Sequence, residues 1–425
     1  MRIKIWILLM AGAMAANSAV AAPAQSILHN FCQAVNCADG AFSRAGLVSD
    51  GSGHLYGTTS VGGAHDNGSV FELTQSGGAW TESVIYSFCP ARGCSDGAYP
   101  AATLILDGKG NLFGTTIYGG KTGDPRCATV GCGTVFELSP ANDGWTYQTL
   151  YTFGGGTDGA NPTASVILDK SGNLYGTTFY GGAGPCDQDG QLIGCGTVYE
   201  VTPSNGGWAE YVVYNFCSVT HCTDGSYPVA GLIFDTNGNL YGTTYRGGDG
   251  SQPSGTVFKL ALSNGGWTEG VLYNFCSVQG CADGAYPYAG LVFDNNGNLY
   301  GTTSSGGNTT HPAGTVFELT PSNADWTENV LLAFNFNDGL SPEASLIFDS
   351  KGDLYGTTSN GGSSQWGVVF QLAPSAAGWT EKVFSFNITD GASPAGGVIL
   401  EGGSLYGSTY SGGANGAGVA YKLTP

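Results

Sequence analysis

Short runs of β-branched, aromatic and polar residues recur along almost the whole chain, separated by glycine, proline, asparagine and aspartate. No segment keeps a helical period of 3.6 residues, so the pattern predicts strands and almost no helix. The clearest run is L-Y-G-T-T or a close variant, whose seven copies lie 51 to 66 residues apart and begin at Leu55, Leu112, Leu174, Leu240, Leu299, Leu354 and Leu405. The chain is therefore an array of seven units.

Each unit contains four predicted strands, which we name a, b, c and d. In the fifth unit they are Leu291–Asp294, Leu299–Thr303, Gly314–Leu319 and Trp326–Leu331. A D-x-x-G-N segment joins strands a and b, and it predicts a tight hairpin, because Asp and Asn bond to backbone groups and Gly supplies a positive φ.

Four-stranded units that cannot bury both faces alone predict an all-β fold, a seven-bladed β-propeller. The seventh unit stops after its strand c at Thr424, and the missing strand lies at residues 26–31, where I-L-H-N-F-C at 27–32 matches V-I-Y-S-F-C at 84–89. We therefore expect the N-terminal strand to complete the last blade and remove its free edge. Residues 22–425 would form one domain, with blade repeats starting near residues 44, 101, 163, 229, 288, 343 and 395.

The repeat D-x-x-G-N-L-Y-G-T-T…G-G…G-T-V-F-x-L…W-T-E resembles the GloVer tandem repeat of exported bacterial proteins, over residues 26–425. The resemblance implies a propeller-like fold and export. It implies no catalytic residue.

The first residues have the pattern of a signal peptide. Arg2 and Lys4 precede an apolar run from Ile5 to Ala15, and Ala19–Ala21 is a small-x-small cleavage site. We predict a signal peptide at residues 1–21 and a secreted protein, either extracellular or periplasmic. No other stretch is long and apolar enough to predict insertion into a membrane.

The cysteines fall into six local pairs with none left over. An isolated pair cannot supply the four ligands of a structural zinc site, so the spacing favours disulfides in an oxidising compartment. The predicted pairs are Cys32 with Cys37, Cys89 with Cys94, Cys127 with Cys132, Cys186 with Cys195, Cys217 with Cys222, and Cys276 with Cys281.

The charge balance excludes some partners. With 13 Lys and Arg against 32 Asp and Glu, the net charge of −19 argues against binding to nucleic acid. Much of the acidity belongs to the repeat, including an Asp before Gly in every unit, from Asp39 to Asp390. These seven aspartates suggest either turns bonded to backbone or a cation site at the channel mouth, and the turn interpretation is favoured.

Strand direction separates two faces. The a–b and c–d turns share one end of the propeller, and the b–c and d–a loops share the other. All six cysteine pairs fall in the second group of loops. Short turns at one end and long, cross-linked, unequal loops at the other indicate a scaffold with one binding face.

Positions where the copies disagree are the candidates for a site. Just before strand a, Arg44, Tyr288 and Glu343 occupy a position that holds small or other residues elsewhere, and they are weak catalytic candidates at the channel mouth. The candidate ligand-binding residues after strand b are Tyr118, Tyr180, Tyr245 and Arg246. Tyrosines with scattered polar groups suit sugar rings, but the same tyrosines could serve only to cover loops.

The segment Asp187-Gln188-Asp189-Gly190 resembles the start of a calcium loop, but the later oxygen ligands and the closing Glu are missing. Calcium at Asp187 and Asp189 is therefore a weak hypothesis, and no other cofactor is expected.

Three functions stay open. The first is a monomeric, non-catalytic propeller that binds extracellular glycan or another surface ligand. The second is a polysaccharide lyase or glycoside hydrolase, with Tyr288 as base or acid, Glu343 as second proton carrier and Arg44 neutralising a substrate carboxylate. The third is a protein-binding or adhesion module, which needs only the loop face.

Overall fold

A computed structural model describes residues 24–121, 127, 129–188, 191–249, 252–263, 266–308, 310–322 and 325–425. The predicted signal peptide, residues 1–21, lies outside the described residues. Within them, seven four-stranded antiparallel sheets form the seven blades of a β-propeller, which confirms the predicted fold class.

The strands follow the chain in this order. An N-terminal strand, β1, covers Ala24–Asn30. Blade 1 consists of β2 (Val48–Ser49), β3 (His54–Thr59), β4 (Ser69–Ser76) and β5 (Ala79–Ser87). Blade 2 consists of β6 (Ile105–Leu106), β7 (Leu112–Thr116), β8 (Thr134–Ala141) and β9 (Gly144–Thr152). Blade 3 consists of β10 (Ile167–Leu168), β11 (Leu174–Thr178), β14 (Thr197–Ser204) and β15 (Gly207–Asn215), with a small hairpin, β12 (Asp187–Gln188) and β13 (Gln191–Leu192), inserted before β14.

The remaining blades repeat the arrangement. Blade 4 consists of β16 (Ile233–Phe234), β17 (Leu240–Thr244), β18 (Thr256–Ser263) and β19 (Gly266–Asn274). Blade 5 consists of β20 (Val292–Phe293), β21 (Leu299–Thr303), β22 (Thr315–Pro321) and β23 (Trp326–Ala333). Blade 6 consists of β24 (Ile347–Phe348), β25 (Leu354–Thr358), β26 (Val368–Ser375) and β27 (Gly378–Ser385). Blade 7 contains β28 (Ile399–Glu401), β29 (Ser404–Ser408) and β30 (Val419–Thr424).

Blade 7 takes its outer strand from the other end of the chain. Its strand order is β1-β30-β29-β28, and β1 pairs antiparallel with β30 from Ala24 opposite Thr424 to Asn30 opposite Val419. The predicted closure is therefore confirmed. The strands named a are shorter than predicted, since only Val292 and Phe293 of the run from Leu291 to Asp294 pair with their neighbour.

Helix is confined to three 3₁₀ turns among the described residues, Val35–Cys37, Thr220–Cys222 and Gln279–Cys281. Each lies inside a disulfide loop. No helix of the described residues has the length and hydrophobicity needed to cross a membrane.

The core lies between blades. Each of the seven junctions contains one cluster of buried apolar side chains drawn from both neighbours. At the junction of blades 3 and 4, Tyr175 packs with Leu240 and Phe258. The glycine of L-Y-G-T-T makes room for this packing, because a Cβ on Gly242 would lie 2.7 Å from Cζ of Phe258. Burial of apolar surface at every junction supplies the main driving force for the ring.

Strand d carries a half-buried acid in five blades. The members are Glu82, Glu210, Glu269, Glu328 and Glu381, and Oε1 of each is buried without a hydrogen-bond partner. In the other two blades the same register position holds Tyr147 and Gln25. The Tyr147 hydroxyl donates to the main-chain oxygen of Asp96, and Gln25 Nε2 donates to that of Asp390 at 3.1 Å. The position therefore favours a neutral hydrogen-bond donor.

The pKa values of the five glutamates agree with that preference. Burial, together with the nearby Asp224, raises the pKa of Glu269 to about 7. The other four have pKa values of about 7 from burial and from the aspartate of their own blade. A protonated glutamic acid is a donor, like Gln25 and Tyr147, so these five side chains match the site only when they are neutral.

Candidate functional site: the loop face and its central cup

The b–c and d–a loops meet at one end of the propeller, which we call the loop face. Isolated bridges join the two kinds of loop directly, between Ala98 and Tyr118, Ala160 and Tyr180, and Ser226 and Arg246. The opposite end, which we call the turn face, contains the a–b and c–d turns. This arrangement agrees with the separation predicted from strand direction.

All six predicted disulfides are present and all lie on the loop face. Two of them, Cys186–Cys195 and Cys217–Cys222, lie side by side with their four Sγ atoms within 4.8 Å of one another. Among the described residues this is the one cluster of potential metal-ligating groups found, and its sulfurs are already paired in disulfides.

A cavity of about 400 Å³ opens at the centre of the loop face. We call it the cup. Its wall is formed by the residues that lead into strand a of every blade. In each copy one wall residue comes directly before the Ala or Gly that precedes strand a. In blades 1 to 7 these wall residues are Arg44, Ala101, Thr163, Val229, Tyr288, Glu343 and Ala395. The structure therefore brings together Arg44, Tyr288 and Glu343, as the repeat register predicted.

The wall is held by hydrogen bonds between neighbouring blades. The fourth residue of the L-Y-G-T-T run, Thr or Ser, donates its hydroxyl to a carbonyl in the next blade. Ser408 Oγ donates to Ala45 O at 2.7 Å, and Thr243 Oγ1 donates to Ala289 O at 3.1 Å. These bonds fix the backbone next to Arg44 and Tyr288. In blade 5 the corresponding residue is Thr302, which faces the segment of blade 6 that contains Glu343. Its hydroxyl is buried and makes no such bond.

A backbone turn precedes each wall position. Two residues before it, the chain has a φ between 54° and 60° in all seven blades, at Phe42, Tyr99, Asn161, Tyr227, Tyr286, Ser341 and Ser393. Left-handed backbone at bulky residues is strained. Because the same strain recurs in every copy, it belongs to the fold. It turns the chain so that the residue two positions later lines the cup.

Arg44 is held against aromatic rings. Its Cζ lies 4.3 Å from the ring centroid of Tyr410, a cation–π contact, and Tyr410 in turn packs against Phe42 at 5.1 Å. Burial acts to lower the pKa of Arg44, but the hydroxyl groups of Tyr99 and Tyr410 outweigh it and the pKa lies above its usual value. The side chain stays exposed at the mouth of the cup.

Tyr288 and Glu343 lie on neighbouring blades. Burial raises the pKa of Glu343, and Arg44 partly offsets that increase. Burial, Glu343 and Tyr245 raise the pKa of Tyr288, while Arg44 lowers it. Both side chains are therefore neutral over a wider pH range than usual. Tyr288 remains 40% exposed, so its ring is available to a ligand.

The four residues predicted to bind a ligand separate into two groups. Tyr118, Tyr180 and Arg246 come six residues after the leucine of L-Y-G-T-T, whereas Tyr245 comes five residues after it. Tyr245 contacts Tyr288, with centroids 6.0 Å apart, and so belongs to the rim of the cup. Sequence reasoning missed Tyr410, which occupies the position of Tyr245 in blade 7.

The other three residues form a band outside the cup. Tyr180 packs against Tyr227 at 6.0 Å, and Tyr118 lies close enough to help raise the pKa of Tyr180, an increase due mainly to burial. Arg246 lowers the pKa of Tyr227, which burial and Tyr180 raise overall. We call Tyr118, Tyr180, Tyr227 and Arg246 the tyrosine band. It crosses blades 2 to 4.

The seven Asp-Gly aspartates stabilise the d–a loops. Asp39 accepts the main-chain N–H groups of Gln33 at 2.8 Å and Ala34 at 3.0 Å, and Asp283 accepts that of Ser277 at 2.9 Å. None of the seven lines the cup in the part of the chain that the structure describes. The turn interpretation therefore accounts for them.

The calcium hypothesis stays a prediction. Asp187 is exposed at the start of β12, and Asp189 lies outside the described residues.

Fold and site together define a closed seven-bladed β-propeller with one elaborated face and a central cup. The chain belongs to the Gloeobacter/Verrucomicrobia repeat family, whose repeat matches residues 19–193, 128–328 and 308–425. This confirms the resemblance seen in the sequence. No curated protein matches the chain significantly.

Several solved structures are similar to this chain. A candidate 6-phosphogluconolactonase from Bacteroides uniformis has 14% identity and a TM-score of 0.49, covering 80% of this chain and 83% of that one. The PQQ-bound aldose sugar dehydrogenase of Streptomyces coelicolor has 11% identity and a TM-score of 0.46, covering 76% and 92%. A candidate glucose dehydrogenase from Thermus thermophilus has 14% identity and a TM-score of 0.44, covering 76% and 96%. None of these similarities identifies a ligand or reaction for this chain.

Proposed function

We propose that the protein is a secreted, monomeric propeller that binds extracellular carbohydrate on its loop face, without chemistry of its own. The observation that carries the proposal is the aromatic lining of this face. Tyr245 and Tyr288 rim a cavity of a size usual for small ligands, and the tyrosine band continues from it. Exposed aromatic rings next to polar groups can stack on the apolar faces of sugars while neighbouring groups bond to the hydroxyls.

Export is part of the proposal. Six disulfides suit an oxidising compartment, and the N-terminal pattern is that of a signal peptide. Recovery of the mature chain outside the cytoplasm, with its N-terminus at Ala22, is the expected result. A chain retained in the cytoplasm with Met1 intact would contradict it.

Binding to a glycan array tests the carbohydrate function. Tyr118→Ala, Tyr180→Ala and Tyr245→Ala should each weaken the signal, because each removes a ring from the proposed surface. Tyr211→Ala is the matched control, since Tyr211 is 58% exposed on β15, away from the loop face. Unchanged binding by all three loop-face variants would remove this site.

A lyase or hydrolase is the second candidate, because Arg44, Tyr288 and Glu343 do line one cavity. The hydrolase form is disfavoured, since it needs two carboxyl groups and Glu343 is the one acid that lines the cup among the described residues. For a lyase, the raised pKa of Tyr288 makes it a poor base. Release of unsaturated sugar ends from uronate polymers, abolished by Tyr288→Phe, would establish the enzyme instead.

The third candidate, a protein-binding module, has support only from scattered apolar side chains at the loop tips, such as Val35 and Val278. The protein-binding module would be favoured if the protein bound no glycan on a broad array but bound one purified surface protein.

A further inference from the structure

Among the described residues the cup has one cationic side chain, and no carboxylate lies within ion-pair distance of it. Arg44 is the one Lys or Arg that lines the cavity. The ion pairs found among the described residues are His29 with Asp39 and His54 with Glu72, so Glu343 does not pair with Arg44. No Lys or Arg among the described residues has a carboxylate within ion-pair distance, so what distinguishes Arg44 is its place in a concave site.

The surroundings of Arg44 orient it and leave room in front of it. The ring of Tyr410 supports one face of the guanidinium at 4.3 Å. The neighbouring wall positions on either side, Ala101 and Ala395, carry only methyl groups. A guanidinium presents parallel N–H donors that match the two oxygens of a carboxylate. The hydroxyl groups of Tyr99 and Tyr410 also lie beside the guanidinium, so a bound carboxylate would share its donors with them.

The rest of the cup suits the ring of a sugar. Tyr288 and Tyr99 line the cup, and Tyr245 packs edge to face against Tyr288 with ring centroids 6.0 Å apart. Glu343, whose pKa burial raises, can accept or donate hydrogen bonds to hydroxyls. Thr163 adds a further polar group. One cationic group, one aromatic wall and few polar groups fit a sugar that carries a carboxylate.

We propose that the cup binds the carboxylate of an acidic sugar, with Arg44 as the carboxylate-binding residue and Tyr288, supported by Tyr245, in contact with the ring. This inference rests on the proposed carbohydrate function and specifies its ligand class.

The test compares two ligands that differ only at their carboxyl groups, which are charged in one and methyl-esterified in the other. Trigalacturonate and its fully methyl-esterified form have the same rings and hydroxyls, and calorimetric titration with the full-length mature protein measures both. The acid should bind about 10- to 100-fold more tightly than the ester, which is the usual effect of hydrogen bonds to a charged group. Arg44→Gln should abolish the difference, and Arg44→Lys should keep part of it because the charge remains.

One further variant acts as a control. Lys351→Gln makes the same change of charge on the turn face, where Lys351 is exposed, and should alter neither affinity. Glu343→Gln removes the carboxylate of the cup and should raise the ratio of the affinity for trigalacturonate to that for the ester. The melting temperature of each variant shows whether the fold is intact.

The outcomes separate this inference from the proposed function. Equal affinities for acid and ester in the unaltered protein would overturn the carboxylate site and leave carbohydrate binding standing. An Arg44→Gln variant that folds and still prefers the acid would also overturn it. If neither ligand binds and no glycan on the array does, both proposals fail.

Discussion

The two ends of this propeller were built from the same repeat and have diverged to different degrees. On the turn face, six a–b hairpins use the same bonds: Asp107 Oδ1, for example, accepts the N–H groups of Lys109 and Asn111, both at 2.8 Å. The equivalent aspartates are Asp50, Asp169, Asp235, Asp294 and Asp349. On the loop face, the residues at the cup wall differ from blade to blade.

The difference separates two kinds of residue. Side chains repeated in every blade form the hairpins and the junctions between blades, and they maintain the ring. Side chains found in one or two blades, such as Arg44 and Glu343, contribute no repeated contact. A seven-fold scaffold can therefore lose its symmetry at the cup without loss of stability, and the asymmetric residues are the ones available for recognition.

The largest expected effect is at a repeated core position. Phe258 is fully buried and meets Phe216 edge to face at 5.0 Å. Phe258→Ala should cost about 3 to 5 kcal/mol of the free energy of unfolding, because it leaves a cavity at the junction of blades 3 and 4. Denaturant titration measures the cost. Tyr245→Ala on the cup rim is the contrasting variant. If it lowers the free energy of unfolding as much as Phe258→Ala does, the distinction between repeated and non-repeated residues is wrong.

A smaller effect is expected in one hairpin of the turn face. Asp235 accepts the N–H groups of Asn237 and Asn239 at 2.9 Å and the Asn239 amide at 2.7 Å. Asp235→Ala should lower the free energy of unfolding by about 1 to 2 kcal/mol, since it leaves hydrogen-bonding groups of the turn without their acceptor. Glycan binding should not change. Asp249→Ala, an exposed acid on the loop face, is the control for loss of charge.

The smallest effect tests the buried glutamates through pH. The pKa of Glu269 is raised from 4.5 to about 7 by burial and by Asp224, and Tyr214 also faces it. A raised folded-state pKa stabilises the fold fully below pH 4.5, and that contribution is lost as the pH rises to about 7. Glu269→Gln keeps a neutral donor at every pH, so its melting temperature should exceed that of the unaltered protein at pH 8 and equal it at pH 4.5.

The reciprocal variant sharpens this test. Gln25→Glu places an acid where blade 7 has a natural amide, and it should lower the melting temperature at pH 8 more than at pH 4.5. Glu137→Gln on β8, outside the series, is the control. If Glu269→Gln and Glu137→Gln respond to pH alike, the neutral-donor interpretation of the strand d position is wrong.

The fold could be predicted from the sequence because repetition made its signals redundant. Seven copies of L-Y-G-T-T fixed the blades, and the match between residues 27–32 and 84–89 predicted the closure that β1 and β30 form. The length of strand a could not be predicted, because Leu291 and Asp294 belong to the pattern without pairing in the sheet.

The repeat register predicted which residues lie at the mouth of the channel, but it did not predict the contacts that their side chains make. Register placed Arg44, Tyr288 and Glu343 at one mouth. It did not reveal that Arg44 lies on Tyr410, because that contact depends on how a long side chain from blade 1 reaches toward blade 7. Sequence reasoning grouped Tyr245 with Tyr118, although Tyr245 lies one position earlier in its repeat. In an extended chain, side chains one position apart point to opposite sides.

Closure of blade 7 joins the first strand made to the last. Ala24 pairs with Thr424, so the first described strand has no partner until synthesis of the chain is almost complete. Contacts so distant in sequence form slowly, and until they form both open edges can pair with other chains. Blade 7 can form only when both β1 and β30 are present. A chain that lacks either strand leaves unpaired strand edges exposed, and such edges can pair with other chains.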